Sequence, residues 1–443
     1  MKLSKYFKIT KIDNKHFAIY NSILFQIMFV NYEELEKVKN MQLNKGKTKI
    51  MLEKGIYVEK HLDIEKTYKY LRSEIEKKSR IPSIMYIDVS TYCNLACKYC
   101  FIENNPLSVK KCEKMKYSVA KISVDKFLFS LKKNKVKSAQ IIFYGGEPLT
   151  NWRVVKETIE YIRKTKDINI VITIITNGTL INKNILTYLK NQKIGIGISI
   201  DGPKDLNDKN RIYKNGNKSV FECVMKSIKL MNKMNCNYCV SATITPDIVA
   251  NKNRVIEWLK NSEIKNVFWN LYHYSKKNNI WKKHYEEMSD FIVDTYNVLL
   301  ENNITEEKIK EQIELFSSDT FKFHSCGAVG LNQITVKPNG DVCICQGDSK
   351  SNKNIVGNII IDEIEDILNN KKNNKWLKLY TINRKKCKFC EAISICGGGC
   401  PLQADALFGK RSKLDKASCI YYKKLLKWLI KESYYATMNS KRG

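Results

Sequence analysis

The sequence predicts an α/β architecture built on a parallel sheet, with a small N-terminal unit before it and a cysteine-rich unit after it. Three observations predict this. From residue 83 onward strand-like and helix-like segments alternate, the order that successive βαβ units impose. The 443 residues exceed one ordinary domain and suggest two or three. The 15 cysteines fall in clusters, which marks places where thiols act together.

Taken in order, residues 1–80 show short strand patterns at 17–20 and 23–29, then helix-like stretches at 33–39 and 64–75. They read as a separate α+β domain. Strand-like runs follow at 84–89, 139–144, 168–175, 195–200, 238–244 and 267–272. Between them lie helical patterns at 124–131, 152–164, 184–189, 220–234 and 248–260. Six β/α units over residues 81–275 predict a barrel-like parallel sheet with its chemistry at the C-terminal strand ends. Residues 276–325, rich in Lys, Asn and Glu, read as a helical linker. Residues 326–425 carry the second cysteine array, and 426–443 read as a terminal helix or tail.

Hydrophobic residues make up 43% of the chain, enough for sizeable cores, so global disorder is excluded. No apolar run approaches the ~18 residues of a membrane span. The start, Met1-Lys2-Leu3-Ser4-Lys5-Tyr6-Phe7, has no apolar signal core. A cytoplasmic, reducing location is expected, and there clustered cysteines are metal ligands rather than disulfides. Lys and Arg number 77 against 45 Asp and Glu, a formal charge of +32. The charge is spread along a chain rich throughout in Lys, Asn and Ile, a compositional bias that argues against a nucleic-acid site; attraction of an acidic peptide is the competing account.

The chemistry begins at Cys93, Cys97 and Cys100, spaced C-x3-C-x2-C directly after the first strand of the alternating region. A [4Fe–4S] cube is normally held by four thiolates. Three close cysteines hold three irons and leave one open to a substrate or cofactor. The second strand ends in Tyr144-Gly145-Gly146-Glu147-Pro148, where glycines permit close backbone approach and Glu147 can accept hydrogen bonds from an ammonium. Asn177 ends the third strand; Ser199 and Asp201 end the fourth, with Arg211 shortly after. Strand-end turn chemistry is the competing account of each.

This triplet and the Gly-Gly-Glu-Pro turn resemble the radical S-adenosylmethionine (radical SAM) enzymes, from about residue 83 to about 275. The resemblance implies a partial (β/α)6 barrel of TIM type. It implies that the open iron is chelated by SAM, which is cleaved to a 5′-deoxyadenosyl radical that abstracts hydrogen. It assigns Tyr99 to the adenine, Gly145, Gly146, Glu147 and Pro148 to the SAM amino group, and Asn177, Ser199, Asp201 and Arg211 to ribose and carboxylate.

A second array reads Cys326-x13-Gly340-x4-Cys345, then Cys387-x2-Cys390-x5-Cys396-x3-Cys400, then Cys419. It resembles the SPASM domain, which implies two further clusters and three [4Fe–4S] clusters in all; a zinc ribbon is the competing account. By that resemblance Cys387, Cys390, Cys396 and Cys419 close an outer cluster. Cys326, Cys345 and Cys400 hold an inner one. A fourth inner cysteine of some relatives corresponds to Thr320 here, so the inner cluster is expected to have an open iron unless Cys343 fills it. Cys112, Cys223, Cys236 and Cys239 read as ordinary thiols. No His sits in a motif and no catalytic residue is assigned.

The resemblance implies a peptide maturase. Sulfatase-maturing relatives commonly place an Asp base after the inner-cluster cysteine, where this chain has Gln346. The expectation is therefore thioether formation, of sactipeptide or ranthipeptide type, on a ribosomally made Cys-containing precursor, with ferredoxin or flavodoxin as electron donor. Carbon–carbon crosslinking, epimerisation and sulfatase maturation are the alternatives, and a non-catalytic iron–sulfur protein would not need the triplet. The N-terminal domain is expected either to recognise a leader peptide as an added strand or merely to cap the barrel.

Overall fold

The computed structural model describes residues 1–59, 65–102, 112–216, 218–273, 281–318, 321–352 and 354–440. Thr320, part of the 276–325 stretch and the last three residues lie outside that set.

The N-terminal unit opens with β1 (Lys2–Leu3), β2 (Phe7–Lys11), β3 (His16–Asn21) and β4 (Ile27–Asn31), and β5 (Tyr57–Val58) pairs back on β1. Strands β2, β3 and β4 form an antiparallel sheet with β3 in the middle. The strand expected at 23–29 begins later. The Asn21 side chain accepts from the Ile23 and Leu24 amides at 2.9 and 3.2 Å, an Asx turn that bends the chain before it can extend. Three helices follow, Tyr32–Lys39, Lys45–Glu53 and Glu65–Lys78. The first is closed by a capping box of Asn31 and Glu34.

The parallel strands are β6 (Ile84–Ser90), β7 (Ser138–Gly145), β8 (Asn169–Thr176), β9 (Gly195–Ser199), β10 (Tyr238–Ile244) and β11 (Asn266–Leu271). Each pairs in parallel with the next, and helices cross between them. Their β-branched runs suit a sheet covered on one face by helices. Met85, Ile87, Val89, Ile141, Phe143, Ile172 and Ile174 are all buried in one core. Burying each Ile or Phe contributes about 1.5–3 kcal/mol.

The stretch expected as a linker is part of this body. Its helix Trp281–Glu301 is followed by β12 (Thr305–Glu306), which joins β11 in parallel. Glu306 is buried and accepts from the Trp269 and Ile309 amides, so one carboxylate ties the strand edge to the start of the helix Glu307–Ser317. The cysteine-rich unit adds β13 (Gln333–Val336), β14 (Asp341–Cys343) and β15 (Ile355–Asn358). Strand β13 pairs in parallel with β6, so all ten strands form one sheet in the order β12-β11-β10-β9-β8-β7-β6-β13-β14-β15. The helix Lys416–Ser440 runs unbroken through the boundary expected at 425/426 and packs against Trp281–Glu301. Among the described residues no helix is long and apolar enough to cross a membrane.

Candidate functional site

The site is assembled where β6, β7, β8 and β9 end. Ser90 closes β6, and the chain turns into the cysteine loop. That loop crosses the end of β7: Gly146 donates to the Ser90 carbonyl at 2.8 Å and Glu147 to the Tyr92 carbonyl at 2.9 Å. A Cβ on Gly145 would lie 2.4 Å from the Ser90 oxygen, and one on Gly146 would lie 2.5 Å from the Tyr92 oxygen. Gly145 also sits at φ +125°. Both glycines are there because backbone passes over backbone. Pro148 starts the short helix Pro148–Asn151 that leads away.

Glu147 is fully buried. It accepts from the Thr176 hydroxyl and the Asn177 amide, both at 2.7 Å, and from the Leu149 amide at 3.0 Å. Burial raises its pKa to about 7 against these hydrogen bonds. The carboxylate thus clamps the ends of β7 and β8 together, with lone-pair capacity left over. Asn177 continues the clamp, donating to Asn94 at 2.9 Å and lying 3.7 Å from the Cys93 sulfur.

Cys93, Cys97 and Cys100 lie within electrostatic reach of one another. Burial pushes the Cys93 thiol up to about 12 and the Cys97 thiol up to about 11. Thiolates at these positions require a cation to offset the lost hydration. Beside Cys97, Arg211 and Asp201 form a buried pair, with Nη2 and Nε donating at 2.9 and 3.1 Å. Asp201 also accepts from the Thr243 amide at 2.9 Å and from the Tyr99 hydroxyl. With these four contacts Asp201 orients Arg211 and Tyr99 and has few lone pairs left for a ligand. The guanidinium lies 5.5 Å from the Tyr99 ring centre. Ser199 ends β9 half-buried.

In the C-terminal unit the seven array cysteines fall into two groups. Cys345 feels the charges of Cys400 and Cys326, and Cys400 that of Cys326. Cys326 and Cys400 each stand at the N-terminus of a short helix, whose amides partly offset the burial that raises both thiols. Cys343 is set apart: it is fully buried, its sulfur lies 3.8 Å from the Asp348 carbonyl, and its charged neighbours are Asp348, Lys337, Asp88 and Asp341. The other group is Cys387, Cys390, Cys396 and Cys419, in mutual electrostatic reach. These four line a cavity of about 560 Å³ whose rim includes Lys8, Lys385, Lys386, Lys416 and Lys423. Among the described residues, no three His, Cys, Asp or Glu side chains are grouped tightly enough for one metal ion.

Sequence reasoning missed the aromatic and acidic residues between the groups. Tyr144 lies in reach of both Cys100 and Cys345, and Tyr86 of Cys326 and Cys345; their rings meet edge-on at 5.8 Å. Asp88 pairs with Tyr144 in register. Alternation sets 86 and 88 on the face opposite the apolar 85, 87 and 89, but does not tell what that face meets.

An α/β sheet with a thiol triplet at its strand ends defines the class, and the comparisons agree. Residues 87–260 match the radical SAM superfamily, and residues 326–396 match the SPASM iron-sulfur cluster-binding domain. The chain thus carries a radical SAM domain and, C-terminal to it, a SPASM domain. It is 24% identical to the radical SAM cyclopropyl synthase TigE of Paramaledivibacter caminithermalis, over 95% of this chain and 90% of TigE. It is 27% identical to a cysteine-type anaerobic sulfatase-maturating enzyme of Clostridium perfringens, over 72% of this chain and 88% of that enzyme. Streptococcus suis SuiB bound to its precursor peptide SuiA shares the fold, with a TM-score of 0.55, 17% identity and coverage of 94% and 99%.

Proposed function

We propose that this radical SAM protein is a peptide maturase that joins a cysteine sulfur to a carbon of a ribosomally made precursor. In this reading Cys93, Cys97 and Cys100 hold the cluster that, with SAM, supplies a hydrogen-abstracting deoxyadenosyl radical. Tyr99, Gly145, Gly146, Glu147, Pro148, Asn177, Ser199, Asp201 and Arg211 shape the SAM pocket. Glu147 fixes its floor, and Arg211, held by Asp201, presents positive charge to a carboxylate. Cys326, Cys345 and Cys400 hold the inner auxiliary cluster; Cys387, Cys390, Cys396 and Cys419 hold the outer one. A ferredoxin or flavodoxin supplies electrons.

The observation that carries the thioether reading is the inner group of three. Cys343 is turned to Asp348, Lys337 and Asp88 rather than to Cys326, Cys345 or Cys400. Three ligands leave an iron for a substrate thiolate, the natural ligand of such clusters. Gln346 supports it too: its amide oxygen accepts from Gln333 at 3.0 Å, so a structural contact occupies the place of a base. The peptide substrate is supported by SuiB, whose structure holds SuiA, and by the three antiparallel strands and three helices of the N-terminal unit, whose outer strands β2 and β4 could each accept a leader strand.

A second reading is carbon–carbon bond formation, favoured by the similarity to a cyclopropyl synthase along nearly the whole chain. The test uses reduced, cluster-loaded protein with SAM and a Cys-containing precursor peptide. Thioether formation lowers the peptide mass by a pair of hydrogens per link and removes one alkylatable thiol each time. A mass decrease with every thiol still alkylated means a carbon–carbon link, and no 5′-deoxyadenosine at all removes both readings.

A further inference from the structure

Beside the tyrosines that stand between the barrel thiols and the inner SPASM thiols lies a carboxylate with no role in the chemistry above. Asp88 sits on β6, five residues before Cys93, and its side chain is completely buried. Among the described residues neither of its oxygens has a partner in strict hydrogen-bond geometry, and Ser349 is the neighbouring hydroxyl that weighs on its charge. Such a group is costly to keep, since a buried carboxylate so weakly partnered is poorly compensated for its lost hydration. Its neighbours Tyr86 and Tyr144 lie within electrostatic reach of the thiols of both groups. Register sets Asp88 beside Tyr144 of β7. On the other side Val336 pairs with Ile87, so Lys337 comes next along β13. Tyr144, Asp88 and Lys337 thus form a row across the sheet. Tyr144 reaches towards both Cys100 and Cys345.

Any oxidative crosslink of a peptide removes two hydrogens. One leaves as a hydrogen atom to the deoxyadenosyl radical made from SAM. The other leaves as a proton and an electron. The electron passes to an oxidised iron–sulfur acceptor, and the proton needs a base. In the thioether case the S–H bond breaks, sulfur bonds to the carbon radical, and the proton is left over. We propose that Asp88 is the terminal acceptor of this proton, reached past the half-buried rings of Tyr86 and Tyr144. The inference rests on the peptide-oxidising reading above, and it holds for sulfur–carbon and carbon–carbon products alike.

The electrostatics agree with the geometry. Desolvation raises Asp88 to about 8, with Ser349 and the Lys337 ammonium opposing the rise. The other titratable groups facing it are Tyr86, Tyr144 and Cys343. A base poised near the working pH is the efficient kind.

The test compares wild type with Asp88→Asn and Asp88→Glu, using precursor peptide deuterated at the reacting carbon. Deuterium entering 5′-deoxyadenosine reports hydrogen abstraction; mature peptide reports completion. Asp88→Asn is expected to keep deuterium transfer and lose about a hundredfold or more of product, the usual span for removing a general base. Asp88→Glu should restore part of it. Above about pH 8, where Asp88 is ionised in the resting protein, its infrared carboxylate stretch should be present in wild type and absent from Asp88→Asn. Wild-type product rates in Asp88→Asn overturn the inference. Loss of deuterium transfer and product together in both variants also overturns it, because the role is then structural. If wild type itself makes no 5′-deoxyadenosine, the peptide-oxidising reading has failed instead.

Discussion

A Cβ on Gly146 would stand 2.5 Å from the Tyr92 carbonyl oxygen, and the oxygen belongs to the loop that carries Cys93. Gly146→Ala should therefore displace the cysteine loop without touching the SPASM domain. The expected result is a folded protein that has lost the barrel cluster and 5′-deoxyadenosine formation; iron analysis and a SAM cleavage assay check it. Arg211 and Asp201 give a second residue-scale prediction. Removing one partner of a buried pair leaves an uncompensated charge, at a cost of about 3–5 kcal/mol. Arg211→Met should lower the urea midpoint accordingly, and an unchanged midpoint would show that the pair is solvated in solution. Asp88 gives a third. Its folded pKa is raised from 3.8 to about 8, so between those values the native state binds a proton that the unfolded state releases. That contribution to stability grows as pH falls from about 8 towards 4. Asp88→Asn should flatten this part of the pH–stability curve, as measured by urea unfolding across pH.

At the scale of elements, the parallel strands were legible because their apolar runs end at turn residues. The strand at 238–244 matches β10 in full, and the others differ by a residue or two at their ends. The helix expected at 124–131 extends to Tyr117–Lys133, since the sequence before it lacks a capping side chain to mark a start. The helix at 248–260 is broken at Asn251, which caps one short helix and opens the next. Strand β2 was missed because FKITK alternates lysine with apolar residues too briefly to register. The thiol groups were legible from spacing alone. Asp88, Tyr86 and Tyr144 were not, because their meaning depends on which strand lies beside β6, and that strand comes from the far end of the chain. The outer strands β2 and β4 carry a prediction of their own. If the N-terminal unit binds a leader by strand addition, precursor peptide should slow amide exchange in residues 7–11 or 27–31. Exchange unchanged in both strands would leave that unit as a cap on the barrel.

For the whole molecule, the two thiol-rich regions are separate in sequence and their metal contents should be separable. Three clusters require about twelve irons per chain. Replacing Cys93, Cys97 and Cys100 by Ala should leave about eight, because the SPASM thiols do not depend on the barrel loop. Zinc in place of iron at Cys387, Cys390, Cys396 and Cys419 would refute the outer-cluster assignment.

The pairing of β6 with β13 bears on how the chain is made. Ile84 leaves the ribosome long before Gln333, its neighbour in the sheet. At about 5–20 residues per second the wait is on the order of tens of seconds. Through that interval one side of β6 is an unpaired strand edge, the kind of surface on which nascent chains aggregate. The strand that leads into Cys93 is thus among the last to be sealed. Slow translation or a shortage of chaperones should therefore appear first as insoluble protein rather than as soluble, inactive enzyme.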